Sequence, residues 1–188
     1  MSADIFVKCG PGSLPGWSGQ GRDRVNSSVA VADVFVTPKL FERIVQSPQN
    51  LIAIDTSQAV DVIAQFRLLA LRTGQSVYYW KDDAGITSLR DRDVRVPGSK
   101  RVTDALRYIL QSMQFGIYLF SDYQEHLRAP NIGLLRQIAR TKSGNGRKVV
   151  FIGERVSLPE GLDALTDHIE HTPESSGKPR LRDGRWVT

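Results

Sequence analysis

Two carboxylates stand where a sheet protein could do chemistry. Asp122 closes the apolar run Phe115-Gly-Ile-Tyr-Leu-Phe-Ser-Asp, and Asp55 stands near the end of Leu51-Ile-Ala-Ile-Asp-Thr. An acid after a buried strand can hold magnesium beside a nucleotide, provided a second element binds the phosphates. That element is normally a glycine-rich turn between the first strand and its helix, with a lysine to meet the charge. Here the corresponding stretch reads Asp55-Thr-Ser-Gln-Ala-Val, with neither glycine nor lysine. Asp55 would itself repel a phosphate. Asp55 and Asp122 are thus the two candidates for cofactor binding, and ATP hydrolysis by the usual route is not expected. The simpler expectation for Asp122 is a carboxylate that caps or orders a loop.

Other chemistries find less support. Gly10-Pro-Gly-Ser-Leu-Pro-Gly-Trp has the glycines of a phosphate loop but not the Gly-x-x-x-x-Gly-Lys-Ser/Thr spacing. Glu125 and His126 join Asp122 in a polar crossing and read as solvent-facing groups. His168 and His171 lie three apart, which on a strand puts them on opposite faces and makes a poor chelate. Cys9 is alone, and there is no Gly-x-Ser-x-Gly turn for a nucleophile. No catalytic residue, no metal site and no resident cofactor are expected.

Lys81–Arg101 sets Lys81, Arg90, Arg92, Arg95, Lys100 and Arg101 against four aspartates, directly behind Tyr78, Tyr79 and Trp80. Basic groups beside aromatics can bind single-stranded nucleic acid. Alternating Asp and Arg favour ion pairs within the chain or with a partner subunit. Trp17, in the glycine-rich stretch 9–26, is a further anchor against the body or a partner. The interaction candidates are Trp17, Trp80, Lys81, Arg90, Arg92, Arg95 and Arg101.

The elements that would position these groups follow from periodicity. Leu51–Thr56, Val77–Trp80, Gly116–Phe120, Val149–Gly153 and His168–Thr172 read as five strands. Between the first two runs a helix carries Ala59, Val60, Ile63, Phe66, Ala70 and Leu71, capped by Ser57 and stopped at Gly74. Thr103 caps a helix with Ala105, Leu106, Ile109, Leu110 and Met113 on one side. Asn131 caps another, carrying Ile132, Leu135, Ile138 and Ala139, and a short helix follows Leu158. Thr141–Lys148 reads as a turn. Strand–helix alternation of this kind builds a mostly parallel sheet covered on both faces. Ahead of it, Asp4–Lys8 and Val29–Val36 read as strands, and Thr37-Pro38 opens a helix with Leu40, Phe41, Ile44 and Val45. After Pro173, glycine, proline, serine and arginine predict a loose tail.

Length and composition agree with a globular protein. The chain has 188 residues, 40% of them apolar and 24% charged, with a net charge of +5. That basic balance leaves nucleic acid open as a partner without requiring it. No apolar run reaches the roughly 18 residues that span a bilayer. The amino terminus lacks the pattern of a signal peptide and the single cysteine allows no internal disulfide, so a cytoplasmic setting is expected.

With the strands placed, Leu51–Pro173 resembles the amino-terminal domain of the Ycf-type AAA ATPases of chloroplasts and cyanobacteria. Leu51-Ile-Ala-Ile-Asp-Thr opens that domain. Gly74-Gln-Ser-Val-Tyr-Tyr-Trp with Ala84-Gly-Ile is similar to the family's strand ending in Trp and turning at Gly. Asp104-Ala-Leu-Arg-Tyr-Ile-Leu, Gly116-Ile-Tyr-Leu-Phe-Ser-Asp, Leu134-Leu-Arg-Gln-Ile-Ala-Arg and Val149-Val-Phe-Ile-Gly follow in order. The resemblance implies a P-loop-like domain that has lost its phosphate loop, used for contacts and lacking the ATPase module that follows it in the family.

The expected architecture is therefore α/β: a three-layer sandwich on a mostly parallel, five-stranded, AAA-like sheet, with an amino-terminal β-arm. Residues 1–50 would form the arm with one helix, 51–173 the degenerate P-loop-like domain, and 174–188 a basic tail. The expected role is a pseudo-ATPase that oligomerises or docks to a protein complex. A weak nucleotide-binding regulator, and nucleic-acid binding through residues 81–101, stand as alternatives.

Overall fold

The structure is a computed structural model and describes residues 36–91, 93–141 and 146–172. The Asp4–Lys8 strand, most of Val29–Val36, Trp17, Arg92 and the expected tail lie outside the described residues. The chain runs α1 (Val36–Gln46), β1 (Leu51–Asp55), α2 (Ala59–Thr73), β2 (Val77–Lys81) and β3 (Gly85–Ser88). It continues through α3 (Val102–Gln111), β4 (Gly116–Phe120), α4 (Asn131–Arg140), β5 (Arg147–Gly153) and β6 (Thr166–Glu170), with 3-10 turns at Gln124–His126 and Asp163–Leu165.

All six strands form one sheet in the order β3-β2-β4-β5-β1-β6. Five are parallel; β3 alone runs antiparallel, as the second arm of a hairpin with β2. The sheet thus has six strands rather than the expected five. The added one, Gly-Ile-Thr-Ser, sits inside a stretch rich in arginine and aspartate, so its short apolar content does not stand out. Gly85 opens it with φ +76, a left-handed value that suits glycine alone without strain.

Alternation along each strand feeds a separate core on each face. Leu51 and Ala53 of β1, Tyr118 and Phe120 of β4, and Val149 and Phe151 of β5 pack with Ala105, Leu106 and Ile109 of α3 and Leu135 and Ile138 of α4. Ile52 and Ile54, Ile117 and Leu119, and Val150 and Ile152 pack with Leu40 and Ile44 of α1 and Val62, Phe66 and Ala70 of α2. Strands buried on both faces explain why their sequences read as unbroken apolar runs. Helix α1, expected in the amino-terminal appendage, thus contributes side chains to the same core as β1 and β5.

Several boundaries fall elsewhere than expected. Val36, expected to end a strand, is the first residue of α1. The N-cap positions of α2, α3 and α4 are Gln58, Arg101 and Pro130, not Ser57, Thr103 and Asn131. Two of the displaced residues have other partners: Thr103 Oγ1 donates to Asn131 Oδ1 at 2.7 Å, and Asn131 Nδ2 donates to the His126 carbonyl at 2.8 Å. They tie α3 to α4. Helix α3 ends at Gln111 because Ser112 is extended, leaving Met113 80% exposed rather than on the apolar side. The helix expected after Leu158 is only the 3-10 turn at Asp163–Leu165, and β6 begins at Thr166, two residues ahead of His168. Gly74 does close α2 with φ 72, its N–H donating to the Ala70 carbonyl at 3.0 Å.

Candidate functional site

Ligands of open parallel sheets bind beyond the carboxyl ends of the strands, where neighbouring strands send their connections to opposite faces. Here β1 leads into α2 on one face, while the segment after β5 places Val156, Leu158 and Leu162 in the core of the other. The crevice between them is the place to look for a site.

The turn joining β1 to α2 consists of Thr56, Ser57 and Gln58 alone. Its first polar groups face inward. Thr56 N–H donates to the Gly153 carbonyl at 2.8 Å, extending the β1–β5 ladder by one bond. Thr56 Oγ1 accepts from Gln58 N–H at 3.1 Å. Asp55 Oδ1 accepts from Val156 N–H at 2.5 Å, so the carboxylate fastens the segment leaving β5. That segment turns at Arg155, whose φ of 57 is uncommon for a residue with a side chain.

Histidines close the other side. His168 lies between two acids, with Nε2 3.0 Å from Asp163 Oδ1 and Nδ1 3.8 Å from Asp55 Oδ2. His171 N–H donates to the Asp55 carbonyl at 3.0 Å, and its Nδ1 is 3.4 Å from Thr56 Oγ1. Asp55, Arg155, Glu160, Asp163, Glu170 and His171 line the open groove that results. Acid and base are mixed there. Among the described residues, no three His, Cys, Asp or Glu side chains are placed to hold a metal ion. Tyr123 is buried beside this region; burial, with a smaller contribution from the Asp55 charge, pushes its phenol up to about 12.

Asp122 is exposed and lies two residues beyond the end of β4 at Phe120. It accepts from Ser121 Oγ at 3.2 Å, and Ser121 Oγ is 2.7 Å from Tyr79 Oη. With Trp80, Lys81, Asp82 and Asp83 it lines a smaller groove separate from that of Asp55. Strand β5 runs between β1 and β4, which puts the two acids about 10 Å apart at the usual strand spacing.

The basic connection is placed around β3. Lys81, Arg90, Arg95 and Arg101 are all exposed. Lys81 Nζ sits 5.6 Å from the Tyr79 ring centre, and Arg90 donates to the Gly74 carbonyl at 3.5 Å. Trp80 is 2% exposed; its ring stacks on Phe120 at 5.5 Å, and Nε1 donates to the Ser99 carbonyl at 3.0 Å. Its indole belongs to the core. The hub of this region is Ser99, 1% exposed, whose Oγ accepts from Ile86 N–H at 2.8 Å and donates to the Val96 carbonyl at 2.7 Å. Sequence reasoning passed over Ser99, and nothing in Pro97-Gly-Ser-Lys separates it from an ordinary turn serine.

Comparison with known proteins gives no match among curated proteins and none among solved structures. Residues 37–171, which span α1 to the end of the sheet, do match the family of SpoVK-like AAA ATPase N-terminal domains. The matched region includes α1, ahead of the strand at which the sequence resemblance begins. With most of its length covered by that match, the chain belongs to the family of SpoVK-like AAA ATPase N-terminal domains.

Proposed function

We propose that the chain is a non-catalytic interaction and assembly module, a three-layer, degenerate P-loop-like domain of the Ycf-type branch that oligomerises or docks to a larger protein complex. One observation carries the reading: the β1–α2 turn is three residues long, without glycine, and the Asp55 carboxylate that ends β1 and the Thr56 hydroxyl of the turn accept backbone N–H groups of the chain itself. A phosphate needs a longer, glycine-rich turn whose N–H groups point outward. Membership of an AAA ATPase N-terminal family supports a domain that works through contacts.

The competing reading is a nucleotide-binding regulator using Asp55 and Asp122. Thermal unfolding of the chain with millimolar ATP, ADP or GTP and magnesium separates the two. A nucleotide at a hundred times its Kd adds about 2.7 kcal/mol to stability. The expected result is no shift with any of the three; a concentration-dependent rise in Tm with one of them would overturn the non-catalytic reading.

A further inference from the structure

Helix α2 is apolar on two sides. Val62, Phe66 and Ala70 face the sheet and are fully buried. On the outer side, Val60, Leu68 and Leu71 are 78%, 53% and 51% exposed, with Ala64 exposed between them. At about 100° per residue these four fall within an arc of about 80°, so they form one stripe along the helix. An amphipathic surface helix carries polar residues in that position. A contiguous apolar stripe on the outside marks a contact surface.

Resting on the interaction reading above, we propose that this stripe is the surface by which two copies of the chain pair, α2 against α2 and antiparallel. The argument is complementarity within one helix. Asp61 near the start and Arg72 near the end are both exposed and flank the stripe on the same side. Neither takes part in an ion pair among the described residues. A two-fold axis across the middle of the helix sets each Asp61 beside Arg72 of the other copy, on both sides of the axis. The same register puts the small Ala64 opposite Leu68, and Val60 opposite Leu71. Small therefore meets large at the centre and apolar meets apolar at the ends, as a self-complementary two-fold interface requires. Antiparallel helix dipoles add to the attraction. Arg67, half-buried on the other flank, lies near the axis and faces its own copy, a repulsion that salt screens.

Sedimentation of the 188-residue chain over a wide concentration range tests the pairing, with Leu68→Glu, Asp61→Arg, Arg72→Glu and the double exchange D61R/R72E as variants. The wild type is expected to move from monomer to dimer. L68E stays monomeric with an unchanged circular dichroism spectrum, because Leu68 contributes to no core. Each single charge reversal weakens the dimer about tenfold, and the double exchange restores it, since two symmetric pairs are reversed and then re-formed. A wild type that stays monomeric, or a dimer indifferent to L68E and to the charge exchanges, overturns the proposal. The nucleotide measurement is independent of it: a monomer that binds no nucleotide rejects the α2 pairing while leaving the non-catalytic reading intact.

Discussion

Arg147 and Lys148 are neighbours on β5 and close the carboxyl ends of helices on opposite faces of the sheet. Arg147 donates to the carbonyls of Ile109 and Leu110 in the last turn of α3. Lys148 Nζ donates to the carbonyls of Ser47 at 2.6 Å and Gln49 at 2.8 Å, just past α1. Both residues are buried. Successive strand residues point to opposite faces, so one dipeptide serves both layers. Each cation meets the negative end of a helix dipole and donates to carbonyls at or just past the last turn, Ile109 also accepting from Ser112 N–H at 3.3 Å.

Removing Arg147 takes the side-chain donor from the Leu110 carbonyl, Ile109 keeping Ser112 N–H, and removing Lys148 takes the side-chain donor from the Ser47 and Gln49 carbonyls. Arg147→Met and Lys148→Met are each expected to destabilise the fold by about 2–3 kcal/mol, with equal apolar volume kept. Urea unfolding at neutral pH measures this. A loss under about 0.5 kcal/mol for both would mean that water satisfies the carbonyls and that the capping contributes little.

Burial sets a pH dependence at the alkaline end, and its components have opposite signs. Burial lowers the Lys148 pKa from its ordinary 10.5. The unfolded chain then binds the proton more tightly, so this contribution to stability rises with pH between the lowered value and 10.5. Tyr118 and Tyr123 are both pushed up to about 12, chiefly by burial. Their stabilisation is fully present below the unfolded value of 10 and is lost as pH rises from 10 toward 12. With two phenols at about 1.4 kcal/mol per pH unit each, this loss is on the order of 5 kcal/mol by pH 12, and the Lys148 contribution stops rising at its unfolded value of 10.5. Stability measured from pH 9 to 12 should fall steeply above 10, and Tyr123→Phe should remove roughly half of the fall. At neutral pH the same variant should be as stable as the wild type or up to about 1 kcal/mol more so, because the Tyr123 hydroxyl is buried without a partner among the described residues.

Gly85 and Ser99 give a sharper local prediction. A Cβ on Gly85 would stand 2.5 Å from Ser99 Oγ and 2.9 Å from the Ser99 carbonyl carbon, at a φ of +76. Gly85→Ala therefore combines backbone strain with a collision against main chain, an expected loss of about 2–4 kcal/mol. Gly98 has a similar φ of +74 but nothing within 4 Å of such a Cβ, so Gly98→Ala should lose only about 1 kcal/mol. Equal losses in denaturant unfolding would show that the contact with Ser99 yields.

What was legible in the sequence was the buried sheet. Strands covered on both faces produce apolar runs such as Val149–Ile152, and the helices between them carry one-sided stripes, so β1, β2, β4 and β5 could be placed from pattern alone. Less legible was anything decided by a partner distant in sequence. Arg147 and Lys148 look like the basic end of a turn because the carbonyls they meet belong to α3 and α1, about 40 and 100 residues earlier by register. Gly85–Ser88 hides because β3 is only four residues long and is surrounded by charge, and its outer edge pairs with the charged stretch around Arg95, Ser88 N–H donating to the Val94 carbonyl and Val96 N–H to the Ile86 carbonyl. The outer stripe of α2 was visible as residues but not as a stripe: Val60 and Leu71 read as core until the sheet shows which side of the helix is already filled.

The two acids that first drew notice part company in the structure, and a pair of substitutions can show it. Asp55 accepts from Val156 N–H and lies beside His168, holding the segment after β5 and the edge strand β6 to the end of β1. Asp55→Ala orphans that N–H and is expected to cost about 1.5–3 kcal/mol, since the hydrogen bond is to a charged acceptor. Asp122 is exposed and, among the described residues, accepts only from its neighbour Ser121, so Asp122→Ala should stay within about 0.5 kcal/mol of the wild type. Hydrogen exchange should locate the effect of D55A at Val156 and along β6, and leave β2 and β4 protected. The opposite pattern, a stable D55A variant and a D122A variant that alters nucleotide-dependent behaviour, would move the carboxylate of β1 from fastening the fold to serving a ligand. If Asp55 fastens the fold as its geometry has it, one carboxylate oxygen at the end of β1 is committed to Val156 N–H, while the other faces His168 at the edge of the open groove.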